Sequence, residues 1–406
     1  MPYLIADVEL TTPLSPIYVP ATHSGIGFIF RLEGRAIGFL LHPVSPGRTV
    51  GADEVERLAT RQCGQRILQE ESRRAVAAAG PPLVDPSVTV AICTRNHPDL
   101  VARCLASLRA AAARVPECRV ELLVVDNAPP DELTREVAES TPGVRYTREP
   151  VPGLNFGRNR AMRDATGTLV AYVDDDVVVD PRWLEGLLEA WRDNPDAGGF
   201  TGQVLPLELE TDAQVLFERR GGFRRAFERI RWSGDSHPRN PLYPCNGGAF
   251  GAGANMAFRR ELLLALGGWD EALDTGAPLP GGGDLDMFYR VLRAGRPLVY
   301  EPLYLAFHEH RREYDKLRHQ FYTWGTGFVA FIEKSYRTDP PMRARWRRLI
   351  RWWLRAQTAR VWRAARGRDS LPFDLVWPEL WGGIVGLSGE YRRSLRRVQR
   401  LRNAHR

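Results

Sequence analysis

AYVDDDVVVD, residues 171–180, sets three adjacent carboxylates, Asp174, Asp175 and Asp176, between an apolar lead-in and three valines. The run that feeds it, TLVAYV, reads as a buried strand. Like charges held this close raise one another's pKa and repel, so a strand that ends in three carboxylates calls for a cation to share them. Asp174 and Asp176 are two residues apart, and on an extended chain they project to one side. Hard oxygen ligands of this kind suit Mg2+ or Mn2+, with a diphosphate to complete the shell. The competing reading is a solvated acidic turn, which the flanking apolar residues disfavour.

The chain on either side of this stretch alternates between strands and helices. SVTVAICT (87–94) and ELLVVDN (121–127) are strands apolar on both faces. HPDLVARCLASLRAAAA, DELTREVAES and NFGRNRAMRDAT read as helices, and VRYTRE as a short strand. Buried strands alternating with helices predict an α/β fold, a mostly parallel sheet with helices on both faces. Ligands of such sheets bind beyond the carboxyl ends of the strands. Polar residues gather there: Thr94-Arg95-Asn96, Asp126-Asn127 and Asp174–Asp176.

Taken singly, each of these residues has a structural alternative. Asp126 can accept from a ribose hydroxyl or a base N–H, or can cap a helix. Thr94 and Arg95 suit a diphosphate or base, although Thr is also a common cap. In PVPGLNFGRNRAMRDATG (150–167), Asn155 can cap the helix, and Gly157 allows close backbone approach. Arg158 falls in the first turn, where a helix N-terminus already favours anions; the alternative is a solvated arginine face. Downstream, GGAFGAGANMAFRRELLLALGGWDEAL (247–273) reads as glycine-rich and then helical. PLPGGGDLDMFYRVLRAG (278–295) places Asp284 and Asp286 at a loop–helix junction, where a carboxylate is either an N-cap or a general base. LVYEPLYLAFHEH then brings His308 and His310, either of which could ligate a metal.

Residues 87–310 resemble a family 2 glycosyltransferase of the GT-A fold. The resemblance is carried by an ordered set: VTVAICTRN, VVDN, GLNFGRNRAM, YVDDDV, GAGANMAFRR and GGGDLDMFYR, closed by a His. It implies transfer of a sugar from a nucleotide-diphosphate donor to an acceptor hydroxyl, with inversion and with Mn2+ or Mg2+ as cofactor, in glycan, glycolipid or glycosylated-metabolite synthesis. Position by position it implies that Thr94, Arg95, Asp126 and Arg158 hold the nucleotide, and that Asp174 and Asp175 meet the ribose or sugar. Asp176 would bind the metal with His308, and Asp284 would be the catalytic base. Many relatives read Glu-Asp where this chain reads Gly283-Asp284, a departure that keeps open a non-catalytic sugar-nucleotide or membrane-binding homologue. A nucleotidyltransferase would want a glycine-rich, basic phosphate loop after the first strand, which TRNHPD does not supply.

The remaining sequence divides the chain into three regions. Residues 1–82 read as an accessory β-hairpin and helix, with IGFIFRLEG and RAIGFLLHP joined at Gly34 and a helix ending at Gly80-Pro81-Pro82. Residues 83–336 form the catalytic domain, in which ELETDAQVLFERRGGFRRAFERIRWSGDSHPRN has little periodicity and reads as a mobile loop or a surface insertion. Residues 337–406 form a helical extension with 18 Arg and no Lys against 5 Asp and Glu, a local charge of +13 that leaves −6 of the chain's total of +7 for the rest. Six of the eleven Trp are also here. Arg with Trp at helical spacing suits an anionic membrane surface, as a lipid-linked acceptor would require, or a helix docked by its Trp face. Nothing that reads bases accompanies the charge, so nucleic acid is not an expected partner. The five scattered cysteines point to a reducing compartment. The N-terminus lacks a signal-peptide pattern and no window suits a spanning helix, so the expected location is cytoplasmic, with peripheral contact at the inner face of the membrane.

Overall fold

The computed structural model describes residues 2–77, 86–237, 239–274 and 279–405. The expected boundary at residue 82 and the Gly80-Pro81-Pro82 breaker lie outside them. A nine-stranded sheet runs in the order 177–179, 298–308, 199–206, 255–259, 169–173, 88–94, 120–127, 144–149, with 230–232 also paired to 298–308. Six strands run one way; Val177–Val179, Ile230–Trp232 and Asn255–Arg259 run the other. The sheet is therefore mostly parallel, as expected. Asn255–Arg259 enters antiparallel from a stretch whose sequence reads as glycine-rich and then helical.

Alternate residues of each parallel strand point to opposite faces, and each face has its own core. Val88, Val90, Ile92 and Val124 meet Leu105 and Leu108 of the Pro98–Ala112 helix and Leu184 and Leu187 of the Trp183–Asp193 helix. Ala91, Cys93, Leu123 and Val125 meet Met162 of Leu154–Asp164 and Met287, Phe288 and Val291 of Gly283–Arg293. Strands apolar on both faces thus follow from helices on both faces. Every described cysteine is buried.

The N-terminal hairpin Gly25–Leu32/Arg35–Pro43 gains a parallel strand, Leu4–Glu9, and is backed by the Ala52–Ala77 helix. Glu33 and Gly34 turn with positive φ, and the Glu9 carboxylate accepts from both of their N–H groups. This unit docks on the large sheet. Ile29 and Phe39 pack with Leu205 and Leu305, Arg31 pairs with Asp180 at 2.7 Å, and Arg35 pairs with Glu189.

Among the described residues the C-terminal region holds four α-helices, Tyr314–Thr338, Arg343–Ala364, Phe373–Gly386 and Glu390–Ala404. The first and third touch backbone to backbone. A Cβ on Gly325 would lie 1.9 Å from the Glu379 carbonyl oxygen, and one on Gly382 would lie 2.0 Å from that of Tyr322. The tryptophans divide between buried and exposed positions. Trp346 packs on Tyr289 and Phe331 and Trp353 on Val329 and Leu380, whereas Trp352, Trp362, Trp377 and Trp381 are exposed. No helix among the described residues is long and apolar enough to cross a membrane.

Candidate active site

The carboxyl ends of the parallel strands meet along one edge of the sheet. Thr94 and Asp126 are cross-strand partners, and His308 ends its strand opposite Val177. The Leu169–Val173 strand stops before the acidic triplet, which forms a turn closed by Val177 N–H donating to the Asp174 carbonyl at 3.3 Å. Asp174 and Asp176 therefore converge through a turn and not through the extended chain anticipated from their spacing. A turn lets the middle carboxylate swing away from its neighbours. Asp175 is drawn aside by Thr94 Oγ1, which donates at 2.6 Å, and by His97 Nδ1 at 2.9 Å.

One oxygen each of Asp174 and Asp176 and a ring nitrogen of His308 lie within 4.8 Å of one another. His308 Nε2 is 3.4 Å from Asp176 Oδ1, a buried oxygen that accepts no hydrogen bond among the described residues. Burial, followed by the charges of Asp174 and Asp175, pushes the Asp176 carboxyl up to about 8. Burial also raises Asp174, opposed by Arg158 and reinforced by Asp175 and Asp284. Burial, with His310 and Arg311 nearby, holds His308 well below its ordinary value. A neutral imidazole beside carboxylates with an orphaned buried oxygen is a donor set that fits a divalent cation.

Arg158 reaches this edge from the Leu154–Asp164 helix. Its guanidinium is buried, lies over the Trp269 ring at 4.9 Å, and has Nη2 3.8 Å from Asp174 Oδ1. Asn155 does not cap this helix. The N-cap is Gly153 at φ 143, and Asp274 Oδ1 accepts from Asn155 N–H at 3.1 Å. A Cβ on Gly153 would lie 1.8 Å from the other Asp274 oxygen, so glycine makes room for a remote carboxylate to take over the cap.

Asp284 is the second residue of the Gly283–Arg293 helix, whose N-cap is Gly282, so it is not the cap its position suggests. A Cβ on Gly253 would lie 3.2 Å from Asp284 Oδ2 and 3.3 Å from Arg158 Nη2; the bare backbone there lets both groups face one space. Asp286 is fully buried, accepting from Arg290 Nε at 2.8 Å and from Lys334 Nζ. The departure at Gly283 has a local cause: a Cβ there would lie 2.5 Å from Asn155 Nδ2 and 2.9 Å from the Leu273 carbonyl.

Asp126 is buried one strand away. Its Oδ2 accepts from the Tyr146 hydroxyl at 3.0 Å, its Oδ1 has no partner among the described residues, and burial, opposed by Tyr146, raises its pKa. Arg95 lies exposed at the rim, with no hydrogen bond or ion pair among the described residues. The structure thus brings Thr94, Arg158, Asp174, Asp175, Asp176, His308 and Asp284 together, with Asp126 alongside and Arg95 outside. Sequence reasoning missed His97 and Arg311, whose Nη1 is 3.9 Å from Asp176 Oδ2. Both directly follow quoted motifs, which was the available signal. It also missed Glu218, which binds His310 Nε2 at 2.8 Å. The segment read as aperiodic holds this residue in a helix, Asp212–Arg220, started by a Thr211/Gln214 capping box.

Residues 89–267 match the family described as glycosyl transferase family 2. Succinoglycan biosynthesis protein ExoM of Rhizobium meliloti is 29% identical, over 53% of this chain and 64% of its own. Pre-mycofactocin glycosyltransferase of Mycobacterium tuberculosis is 27% identical over 56% and 43%, and glucosyl-dolichyl phosphate glucuronosyltransferase of Haloferax volcanii 25% over 37% and 46%. The chain thus spans less than two thirds of these curated relatives. Mannosyltransferase PcManGT from Pyrobaculum calidifontis, solved in complex with GDP-Man and Mn2+, superposes at a TM-score of 0.47 with 22% identity, over 80% of this chain and 89% of that one.

Proposed function

We propose that this chain, whose residues 89–267 match the glycosyl transferase family 2 model, transfers a sugar from a nucleotide-diphosphate donor to an acceptor hydroxyl, with inversion and with a divalent metal. The observation that carries this reading is the convergence of Asp174, Asp176 and His308 on one point, with Asp284 and Arg158 facing the same space. Asp174, Asp176 and His308 would hold the metal, which when bound would neutralise charge growing on the departing diphosphate. The imidazole ligand favours Mn2+ over Mg2+.

Arg158, desolvated and fixed by Trp269, adds positive charge beside the leaving group. Asp126 offers its free oxygen to a ribose hydroxyl or base N–H, Thr94 and His97 orient Asp175 toward the donor, and Arg95 closes on the nucleotide from the rim. The acceptor oxygen bonds to the anomeric carbon as the bond to the diphosphate oxygen breaks. Asp284, with no ion pair among the described residues, takes the hydroxyl proton. Attack opposite the leaving group inverts the anomeric centre.

A second reading concerns the acceptor. Trp377 stacks between Phe373 at 6.3 Å and Trp381 at 6.0 Å along one exposed helix face. Arg347, Arg348, Arg351 and Arg355 are exposed and make no ion pair among the described residues. Indole rings with free guanidinium groups suit an anionic lipid surface, and support a lipid-linked acceptor met at the inner face of the membrane.

The test of the first reading is a panel of UDP-, GDP- and dTDP-sugars with Mn2+ and with EDTA, following nucleoside diphosphate release and the anomeric signal of the product. Metal-dependent release of one nucleotide with an inverted product is expected. Nucleotide binding without turnover toward any acceptor would favour a non-catalytic homologue, and no binding with Mn2+ present would refute the site.

A further inference from the structure

We infer that Glu218 and His310 are positioning residues that fix which nitrogen of His308 faces the acidic turn. The inference rests on reading Asp174, Asp176 and His308 as the metal site. His308 Nδ1 and His310 Nδ1 are 3.1 Å apart, and both rings are buried. Two ring nitrogens at that distance share one proton, so one donates and the other accepts. Glu218 decides which. It is fully buried, with Arg224 Nε 2.7 Å from its Oε2 and His310 Nε2 2.8 Å from its Oε1. A carboxylate paired with a guanidinium accepts, so the His310 N–H is spent on Glu218, and its Nδ1 presents a lone pair.

His308 Nδ1 must then donate to His310, which leaves the lone pair of His308 on Nε2. That atom is the one 3.4 Å from Asp176 Oδ1. That lone pair faces Asp176 Oδ1, which has no hydrogen-bond partner among the described residues. A cation between them satisfies both. A ligating imidazole is commonly aligned by the hydrogen bond of its other nitrogen.

The surroundings hold this chain of contacts in place. Phe217 meets the His310 ring edge-on at 4.6 Å, and Phe223 meets His308 at 5.1 Å. Gly222, at φ +54, follows the Glu218 helix; a Cβ there would lie 2.0 Å from Glu218 Oε1. Arg224 faces Glu218, and Arg311 faces Asp176. The poorly periodic segment between the sheet strands thus serves the acidic turn from behind.

The test uses the full chain and Mn2+ alone, titrated by electron paramagnetic resonance. Glu218→Gln is expected to weaken Mn2+ binding roughly 10- to 100-fold. His308→Ala should weaken it comparably, and Glu218→Gln added to His308→Ala should cost less than about twofold more, as expected of coupled residues. Unchanged affinity in Glu218→Gln, or equal weakening with and without His308, overturns the inference. A second measurement needs no variant. Long-range 1H–15N spectra of the metal-free wild type should show His308 protonated at Nδ1 and bare at Nε2; the opposite tautomer overturns the inference. If the wild type binds no Mn2+, the metal reading fails by itself, and the nitrogen spectrum still decides the relay.

Discussion

Asp176 Oδ1 and His308 Nε2 stand 3.4 Å apart, Asp176 being the turn residue just before Val177, the ladder partner of His308. With no metal bound, the Asp176 carboxyl is raised to about 8, chiefly by burial. Between about pH 4 and pH 8 the folded protein therefore holds a proton that the unfolded chain has released, so stability falls as pH rises through this window. The melting temperature of the EDTA-treated protein should drop by several degrees, roughly 2–8 °C, from pH 5 to pH 8. Saturating Mn2+ should remove the drop, and Asp176→Asn should flatten it without metal. A pH-independent melt of the metal-free wild type would contradict the raised carboxyl.

Asp284 and Asp286 are separable by substitution. Asp284→Asn should lower transfer by about 10²- to 10⁴-fold, with donor affinity nearly unchanged. Asp286→Asn leaves Lys334 and Arg290 without their buried counter-charge, and should cost about 3–5 kcal/mol of stability. Kinetics and chemical denaturation on the two variants tell them apart. Reversed outcomes would move the base to Asp286.

Asp126 has one buried oxygen without a hydrogen-bond partner among the described residues. Asp126→Ala should weaken nucleotide binding about tenfold, and Tyr146→Phe, which removes only the orienting hydroxyl, by less. Isothermal titration with the nucleoside diphosphate found in the donor screen measures both. Equal affinity in wild type and Asp126→Ala would take the residue out of the nucleotide pocket.

The tryptophans of the tail predict opposite effects. Trp377→Ser combined with Trp381→Ser should abolish sedimentation with vesicles containing phosphatidylglycerol while leaving the melting temperature unchanged, and wild-type binding should weaken with salt. Trp353→Ala, by contrast, should destabilise the fold by about 3–5 kcal/mol. Binding to purely zwitterionic vesicles at the same strength would argue against the arginine contribution.

The strands at 88–94, 120–127 and 169–173 were legible because they are rich in apolar residues and each ends in or runs into polar residues. Thr94 and Asp126 form the last pair of their ladder, and Asp174 follows Val173, the last residue of the ladder beside it. Asn255–Arg259 was not legible: five residues, NMAFR, are too few for a period, and their glycine-rich approach dominates the pattern. Glu218 was hidden for another reason. It lies 92 positions from His310, and its role exists only once the two elements pack. The caps at Gly153 and Gly282 defeated side-chain rules, because at Gly153 a distant carboxylate takes the cap and at Gly282 no side chain does.

The order of the sheet has a consequence for fragments of this chain. Leu298–His308 lies between Val177–Val179 and Gly199–Pro206, although it is the last strand to be synthesised. A polypeptide ending at residue 267, where the family match ends, would lack the strand that joins those two. Gly199–Pro206 would become a bare edge of eight residues, with unpaired backbone groups open to any neighbouring chain. Such a fragment would self-associate instead of yielding a minimal enzyme. The same holds for a nascent chain until residue 308 leaves the ribosome, so the acidic turn acquires its histidine and the sheet loses its adhesive margin in one late step.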